Sequence, residues 1–326
     1  MKPRTLAPVL IIGLLLLTLL SPFIGSIPIR PADILSSDPT TPAHTIFWQI
    51  RLPRLFLGIC TGIILAVSGM IFQAMFRNPL ATPYTLGVSS GASFGAVLFM
   101  RAGFELSSGV FSGVTLAAFL GALTSIGLVY SVVRLRGVFS TSRLLLAGVA
   151  ASFLFSSLIM FIHYTANVQD TFRLMRWLMG SLAMPGYTLV WQLMVVALVA
   201  VTVAMLSMRE LDLLSTGDDI AASRGVNVER IRHILFFATS LMVGAVVAAC
   251  GPIGFVGLMV PHICRLLVGP GHVRLAPSVI LTGAVFLPVC DLLARTLAAP
   301  AEIPVGVITA LLGGPFFLWL LMRDRE

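Results

Sequence analysis

Ten apolar runs, most of them about as long as a bilayer is thick, follow one another along this chain with little charge between them. They cover residues 6–24, 55–76, 86–100, 110–133, 144–164, 189–208, 234–250, 253–267, 276–297 and 305–322. A helix crossing about 30 Å of hydrocarbon needs roughly 20 apolar residues, and the third and eighth runs are the ones that fall well short. A soluble domain fails on charge. Such a domain carries about 25% charged residues to keep its surface wet, whereas here the figure is 10%, beside 58% hydrophobic residues and a mean hydropathy of +1.01. Lipid must cover what polar side chains cannot. The expectation is an all-α integral membrane protein of about ten transmembrane helices, forming a single domain over residues 1–326. The first 26 residues, MKPRTLAPVLIIGLLLLTLLSPFIGS, imitate a secretory signal. A cleaved signal would release a soluble chain, and the remainder is too apolar for that, so this stretch reads as a retained first span.

Charge bias orients the spans. Ten crossings put both termini on one side, and 14 of the 21 basic residues fall on that side with seven on the other. By the positive-inside rule the N- and C-termini are cytoplasmic. The net charge of +8 does not point to nucleic acid, because the basic residues are scattered singly and no contiguous basic face forms. Cys60, Cys250, Cys264 and Cys290 lie in apolar runs without a C-x-x-C pair and read as small buried hydrophobes.

Little chemistry is available. The lone lysine, Lys2, cannot complete a P-loop, so the chain does not hydrolyse ATP by that route. His44, His163, His233, His262 and His272 show no metal-ligand spacing. No cofactor or catalytic group is expected on this chain. Ion-coupled transport should leave ionisable groups at membrane depth. The clearest is Asp291, four residues before Arg295 and therefore on the same helix face. One paired carboxylate is thin support for an ion-coupled secondary transporter, which stands as the alternative reading.

One hydrophilic island interrupts the pattern. Nine of the 34 charged residues lie between Arg209 and Arg232, around the stretch LSTGDDIAASRGVNVERIRHI. The topology places it in the cytoplasm. Gly217-Asp218-Asp219 reads as a helix start with acids at the positive end of the dipole. Gly225 can supply a left-handed cap, and a second short helix is expected near Asn227. Residues 214–232 would then form either a knob that a partner could grip or an ordinary solvated loop. Elsewhere small residues recur at helical spacing, as Gly58-x-x-x-Gly62-x-x-x-Ala66 and Gly87-x-x-x-Gly91-x-x-x-Gly95. Such stripes bring helix backbones close in lipid, within one chain or between two copies, and internal packing is favoured. Spans two to five and seven to ten are candidates for inverted halves, since a five-span offset reverses orientation.

Several blocks carry a family likeness: WQIRLPR (48–54), SGMIFQAMFRNPLATPYTLGVSSGAS (68–93), FSTSRLLLAGVA (139–150), GDDIAASRGVNVERIR (217–232), GPIGFVGLMVPHICR (251–265) and PAEIPVGVITALLGGPFFLWLL (300–321). In this order they resemble the FecCD-type permeases, the multi-pass inner-membrane subunits of bacterial ATP-driven importers for iron–siderophores, haem and vitamin B12. The resemblance implies a homodimer, two copies of a separate ATPase that uses ATP and Mg, and a periplasmic substrate-binding protein. It implies an ATPase-coupling element made by Gly217, Asp218, Asp219, Ala221, Arg224, Gly225 and Val226. It places a cytoplasmic gate at Thr141 and Ser142, although Ser140 or Thr141 could equally cap the fifth helix. Arg51, Arg54 and Arg295 match positions that dock the binding protein in B12-type members, where exposed charges would steer association. Ferric siderophores stand slightly ahead as cargo, then cobalamin, then haem, although STSRLLLAGVA and WQIRLPR look especially like the B12-type members.

Overall fold

A computed structural model describes residues 3–25, 27, 29–30, 34, 41–104, 107–108, 111–134, 141–184 and 186–323. The helices are α1 (Pro3–Leu20), α2 (Pro42–Thr45), α3 (Leu52–Phe76), α4 (Val88–Arg101), α5 (Gly113–Arg134), α6 (Thr141–Tyr164) and α7 (Val168–Leu178). They continue as α8 (Thr188–Leu206), α9 (Met208–Thr216), α10 (Asp218–Ser223), α11 (Val228–Cys250), α12 (Val256–Val268), α13 (His272–Thr296) and α14 (Val305–Arg323). A single two-residue β pairing, Ser107–Ser108 against Phe111–Ser112, lies between α4 and α5 among the described residues. The architecture is that of an all-α membrane protein of about ten spanning helices.

Helix α2 runs through a π-helical turn, Ile46–Arg51, directly into α3, so one helical rod extends from Pro42 to Phe76. In its most apolar stretch 83% of residues are buried within the protein, against 22% in α1 and 28% in α6 and α8. A helix buried all round is a core helix, whereas the other three present Leu, Val and Phe outward, where lipid covers them.

The two brief apolar runs become two short helices. α4 has 14 residues and α12 has 13, about 20 Å each at 1.5 Å per residue. Both are preceded by non-helical backbone. Before α4 come a 3₁₀ turn, Pro83–Leu86, and Gly87 in the left-handed region. Before α12 come residues 251–254, outside any helix and starting from Gly251 at φ +71°, and then Phe255 in the left-handed region. Irregular backbone at membrane depth persists where protein covers it, and Gly87, Gly251 and Phe255 are largely buried or half-buried here.

The chain divides into two compact units that alternate along the sequence: residues 1–67, 181–201 and 253–326 form one, and residues 68–180 and 202–252 the other. Small residues organise each. In the first, a Cβ on Gly62 would fall 2.1 Å from the carbonyl oxygen of Gly283, and a Cβ on Gly283 would meet Gly62 and Ala66. The backbones of α3 and α13 are therefore in direct contact. In the second, a Cβ on Gly95 would lie 2.1 Å from the oxygen of Ala117, and a Cβ on Gly121 would lie 2.2 Å from the oxygen of Gly91. The Ser125 hydroxyl donates to the Gly87 carbonyl at 2.8 Å, joining α5 to the turn before α4. Tyr130 of α5 packs on Phe236 and Phe237 of α11. Both glycine stripes thus serve packing inside one chain.

Helix α7 is amphipathic. Asn167 caps it by accepting from the Asp170 amide at 2.8 Å, Leu174 is buried, and Val168, Phe172 and Met175 are exposed.

Candidate functional site

The hydrophilic island folds as expected at its centre. Gly217 ends α9 and starts α10 with φ +141° and ψ 153°, a backbone region open essentially to glycine alone. A side chain there would find room, since the nearest group is the Arg77 guanidinium at 3.7 Å; the conformation itself is the constraint. Helix α10 then ends in a Schellman motif. The Val226 amide donates to the Ala221 carbonyl and the Gly225 amide to that of Ala222, both at 3.0 Å, with Gly225 at φ +83°. Ala221 is fully buried beneath the turn, while Asp219, Ile220, Arg224 and Gly225 are exposed.

Asp218 holds this knob in place. Its two oxygens accept from Arg232 in a fork, Nη1 to Oδ2 at 2.9 Å and Nη2 to Oδ1 at 2.7 Å. Arg77, one residue beyond α3, adds an ion pair to Oδ1 at 3.3 Å. The bidentate geometry fixes orientation as well as distance. Arg232 is buried, with a side chain 7% exposed, whereas Asp218 is 40% exposed. The knob is thus pinned on its inner side and open on its outer one. Asn227 caps the next helix by accepting from the Arg230 amide at 3.0 Å.

The sequence suggests that this second helix is a short one. It is instead the start of the 23-residue α11, Val228–Cys250. The charged positions Glu229, Arg230 and Arg232 continue the helix below the apolar run because its hydrogen bonds are internal and indifferent to side-chain polarity. The knob's short helices are α9 and α10. Arg77 and Arg232 have no motif or spacing that links them to Asp218, so the sequence alone does not single them out.

The expected exposure of the three docking arginines requires correction. Arg51, Arg54 and Arg295 are 6%, 5% and 4% exposed, not free surface charges. Arg54 lies in the first turn of α3 and reaches Asp291 on α13, its Nε 3.0 Å from both carboxylate oxygens and its Nη2 2.9 Å from Oδ1. Its Nη1 meets Glu302 at 2.7 Å. Arg295 sits 3.2 Å from Asp291 one helical turn away, and donates to the Ser21 hydroxyl at 3.0 Å. Arg51 donates to the carbonyls of Pro22 and Ile27. Buried charges persist only when paired and hydrogen-bonded. The carboxylates that pair with Arg54 and the Ser21 hydroxyl that accepts from Arg295 lie more than 200 residues away in sequence, whereas the carbonyls that hold Arg51 lie 29 and 24 residues before it. Asp291 is therefore part of a structural ion cluster joining α3, α13 and the segment before α14.

Of the gate candidates, Ser142 is exposed in the first turn of α6. Thr141 begins that helix, but its side chain and Ser140 lie outside the described residues.

Rods of apolar helix, two short helices entered through irregular backbone and a pinned polar knob define a multi-pass membrane protein. The FecCD transport family model matches residues 13–323. The hemin transport system permease HmuU of Yersinia pestis is 38% identical over 327 residues, covering 100% of this chain and 97% of that protein. The cobalamin import system permease BtuC of Halobacterium salinarum is 43% identical, covering 87% and 75%. Among solved structures, an inward-facing transporter assigned to the metal-chelate ABC type superposes with a TM-score of 0.82 at 31% identity, covering 99% of this chain and all of that one. The chain belongs to the FecCD transport family. It is a multi-pass inner-membrane permease, and its family consists of transport subunits rather than enzymes.

Proposed function

We propose that this chain is the permease subunit of an ATP-binding-cassette importer carrying a chelated metal from periplasm to cytoplasm, and that residues 1–326 form one permease domain. The observation that carries the reading is the knob. Gly217, Asp218, Asp219, Ala221, Arg224, Gly225 and Val226 build a rigid, outward-facing element whose chain runs on as α11. A pull on that element by a closing ATPase dimer reaches the spanning helix through four residues, 224–227. Asp218 is best understood as a positioning residue, tying the knob to Arg77 and Arg232. ATP and Mg are used by the partner ATPase, two copies of which serve a homodimer of this chain.

Cytoplasmic gating is assigned to Thr141 and Ser142. The binding protein is assigned to the outer ends of the spans, where Arg51, Arg54 and Arg295 act as buried framework beneath the docking face. For cargo, the hemin and cobalamin permeases among the relatives support a metal held in a tetrapyrrole-type macrocycle. That moves haem and cobalamin ahead of ferric siderophores.

The test is uptake in cells lacking this chain and again with it restored, using labelled haem, cobalamin and a ferric siderophore in parallel, with and without ATP depletion. Loss of haem or cobalamin uptake with the gene, dependent on ATP, supports the whole reading. Loss of siderophore uptake alone overturns the cargo. Uptake that survives ATP depletion and collapses with the proton gradient overturns the importer assignment and returns attention to Asp291.

A further inference from the structure

Beside the knob lies a pocket of about 340 Å³ lined by α9, the 224–227 turn and the first turns of α11. This is within the range of small-molecule sites, which begin at about 300 Å³. Arg209, Arg224 and Arg230 line it, together with one carboxylate, Glu210. Among the described residues no carboxylate forms an ion pair with any of the three guanidiniums, all of which belong to exposed residues. The Oε2 atom of Glu210 is shielded from solvent and has no hydrogen-bond partner among the described residues. The pocket therefore offers three forked cationic donors and one buried acceptor, with a net lining charge of +2.

Its depth is set by the neighbouring chain. Arg209 lies three residues past Leu206, the end of an apolar span and itself 76% exposed. Ile231 and Ile234 line the other wall, and Ile234 is 50% exposed. Arg230 and Ile234 are one turn apart, so a cation and an apolar side chain share one face of α11. A site lined by exposed guanidiniums and isoleucines, close to the end of an apolar span, matches the boundary where headgroups meet acyl chains.

We infer that this pocket binds a phosphodiester headgroup bearing hydroxyl donors, that of an anionic glycerophospholipid in the cytoplasmic leaflet. The arginines would hold the phosphate oxygens, since the guanidinium fork matches phosphate geometry. A headgroup hydroxyl would donate to Glu210; inorganic hydrogenphosphate could donate there too, but it has no acyl chain for the isoleucines to take. The isoleucines would take the start of an acyl chain. The lipid would then brace the joint between α9 and α11 at the root of the knob.

The experiment uses the purified full-length chain in phosphatidylcholine micelles, with phosphatidylglycerol titrated in and thermal unfolding as readout. Inorganic phosphate is added in a parallel arm. Phosphatidylglycerol should raise the midpoint of the wild-type protein in a saturable way, and phosphate should not. In Arg209→Gln/Arg230→Gln the affinity should fall roughly tenfold or more, the loss expected when charge-assisted bonds to phosphate are removed. Arg209→Lys/Arg230→Lys controls for folding and should retain part of the response. Equal phosphatidylglycerol responses in wild type and in the glutamine variant overturn the proposal. A full response to inorganic phosphate alone overturns the lipid assignment and leaves a soluble anion as ligand. If the glutamine variant loses capture of the partner ATPase while the lipid response is unchanged, the arginines belong to that protein interface and the lipid site is refuted.

Discussion

Replacing Arg54 by methionine tests the outer ion cluster. Methionine keeps most of the apolar stem and removes the charge. The substitution deletes the contacts of Nε and Nη2 with Asp291 and of Nη1 with Glu302. The two carboxylates then respond differently. Glu302 is 40% exposed and regains water, so its loss resembles that of a surface pair, about 0–1 kcal/mol. Asp291 is 3% exposed and cannot. Removing one partner of a buried pair costs about 3–5 kcal/mol, because the other charge stays behind without compensation. Arg295 remains 3.2 Å from Asp291 and offsets part of that, which places the expected loss near the low end, about 3 kcal/mol. Glu302→Gln should cost under about 1 kcal/mol. The assay is unfolding in mixed micelles by titration with sodium dodecyl sulfate, followed by helical circular dichroism. Raising the salt concentration should diminish the small Glu302 effect and leave the Arg54 effect nearly unchanged, since buried pairs are weakly screened. Equal costs for the two variants, or an Arg54→Met cost below about 1 kcal/mol, would show that the cluster is hydrated like a surface and refute the argument.

Other expectations follow from the same geometry. Charge reversal at Asp218 and Arg224 together should abolish ATP-driven uptake while insertion and dimer formation persist; uptake at the normal rate in that variant removes the coupling assignment. Gly217→Ala should cost about 1–3 kcal/mol through its φ of +141° and lower coupling between ATP hydrolysis and transport. Detergent unfolding and the ratio of ATP consumed to cargo moved measure the two effects. Gly62→Ala should destabilise the protein by at least about 2 kcal/mol, because its Cβ would fall 2.1 Å from the Gly283 oxygen. Gly13→Ala, with nothing within 4 Å, is the matched control and should lose no stability.

Which parts of this protein are legible in its sequence depends on how local their physics is. The knob's turn chemistry is local. Gly217 and Gly225 are needed because the chain reverses there, and the acids and Asn227 mark helix starts within three or four residues. The broken spans are partly legible, as apolar runs too short to cross, but where each helix begins depends on burial of the irregular backbone before Gly87 or Phe255. The arginines at 51, 54 and 295 show the opposite case. Their side of the membrane follows from the span count, yet their exposure does not, because it depends on where Asp291, Glu302 and Ser21 come to lie.

Composition and periodicity by themselves determine that this chain lives in lipid, as about ten helices with both ends on the more basic side. No other environment covers 58% hydrophobic residues joined by so few charges. They also determine where backbones can touch, since glycines and alanines four apart leave no side chain to hold helices apart. Which stripe meets which is decided by tertiary structure: Gly62 against Gly283 and Gly95 against Ala117 are pairings that no single helix encodes. The same holds for charge. An isolated Arg54 or Asp218 has no preferred partner in sequence, and becomes structural only when folding excludes water and one opposite charge lies within reach.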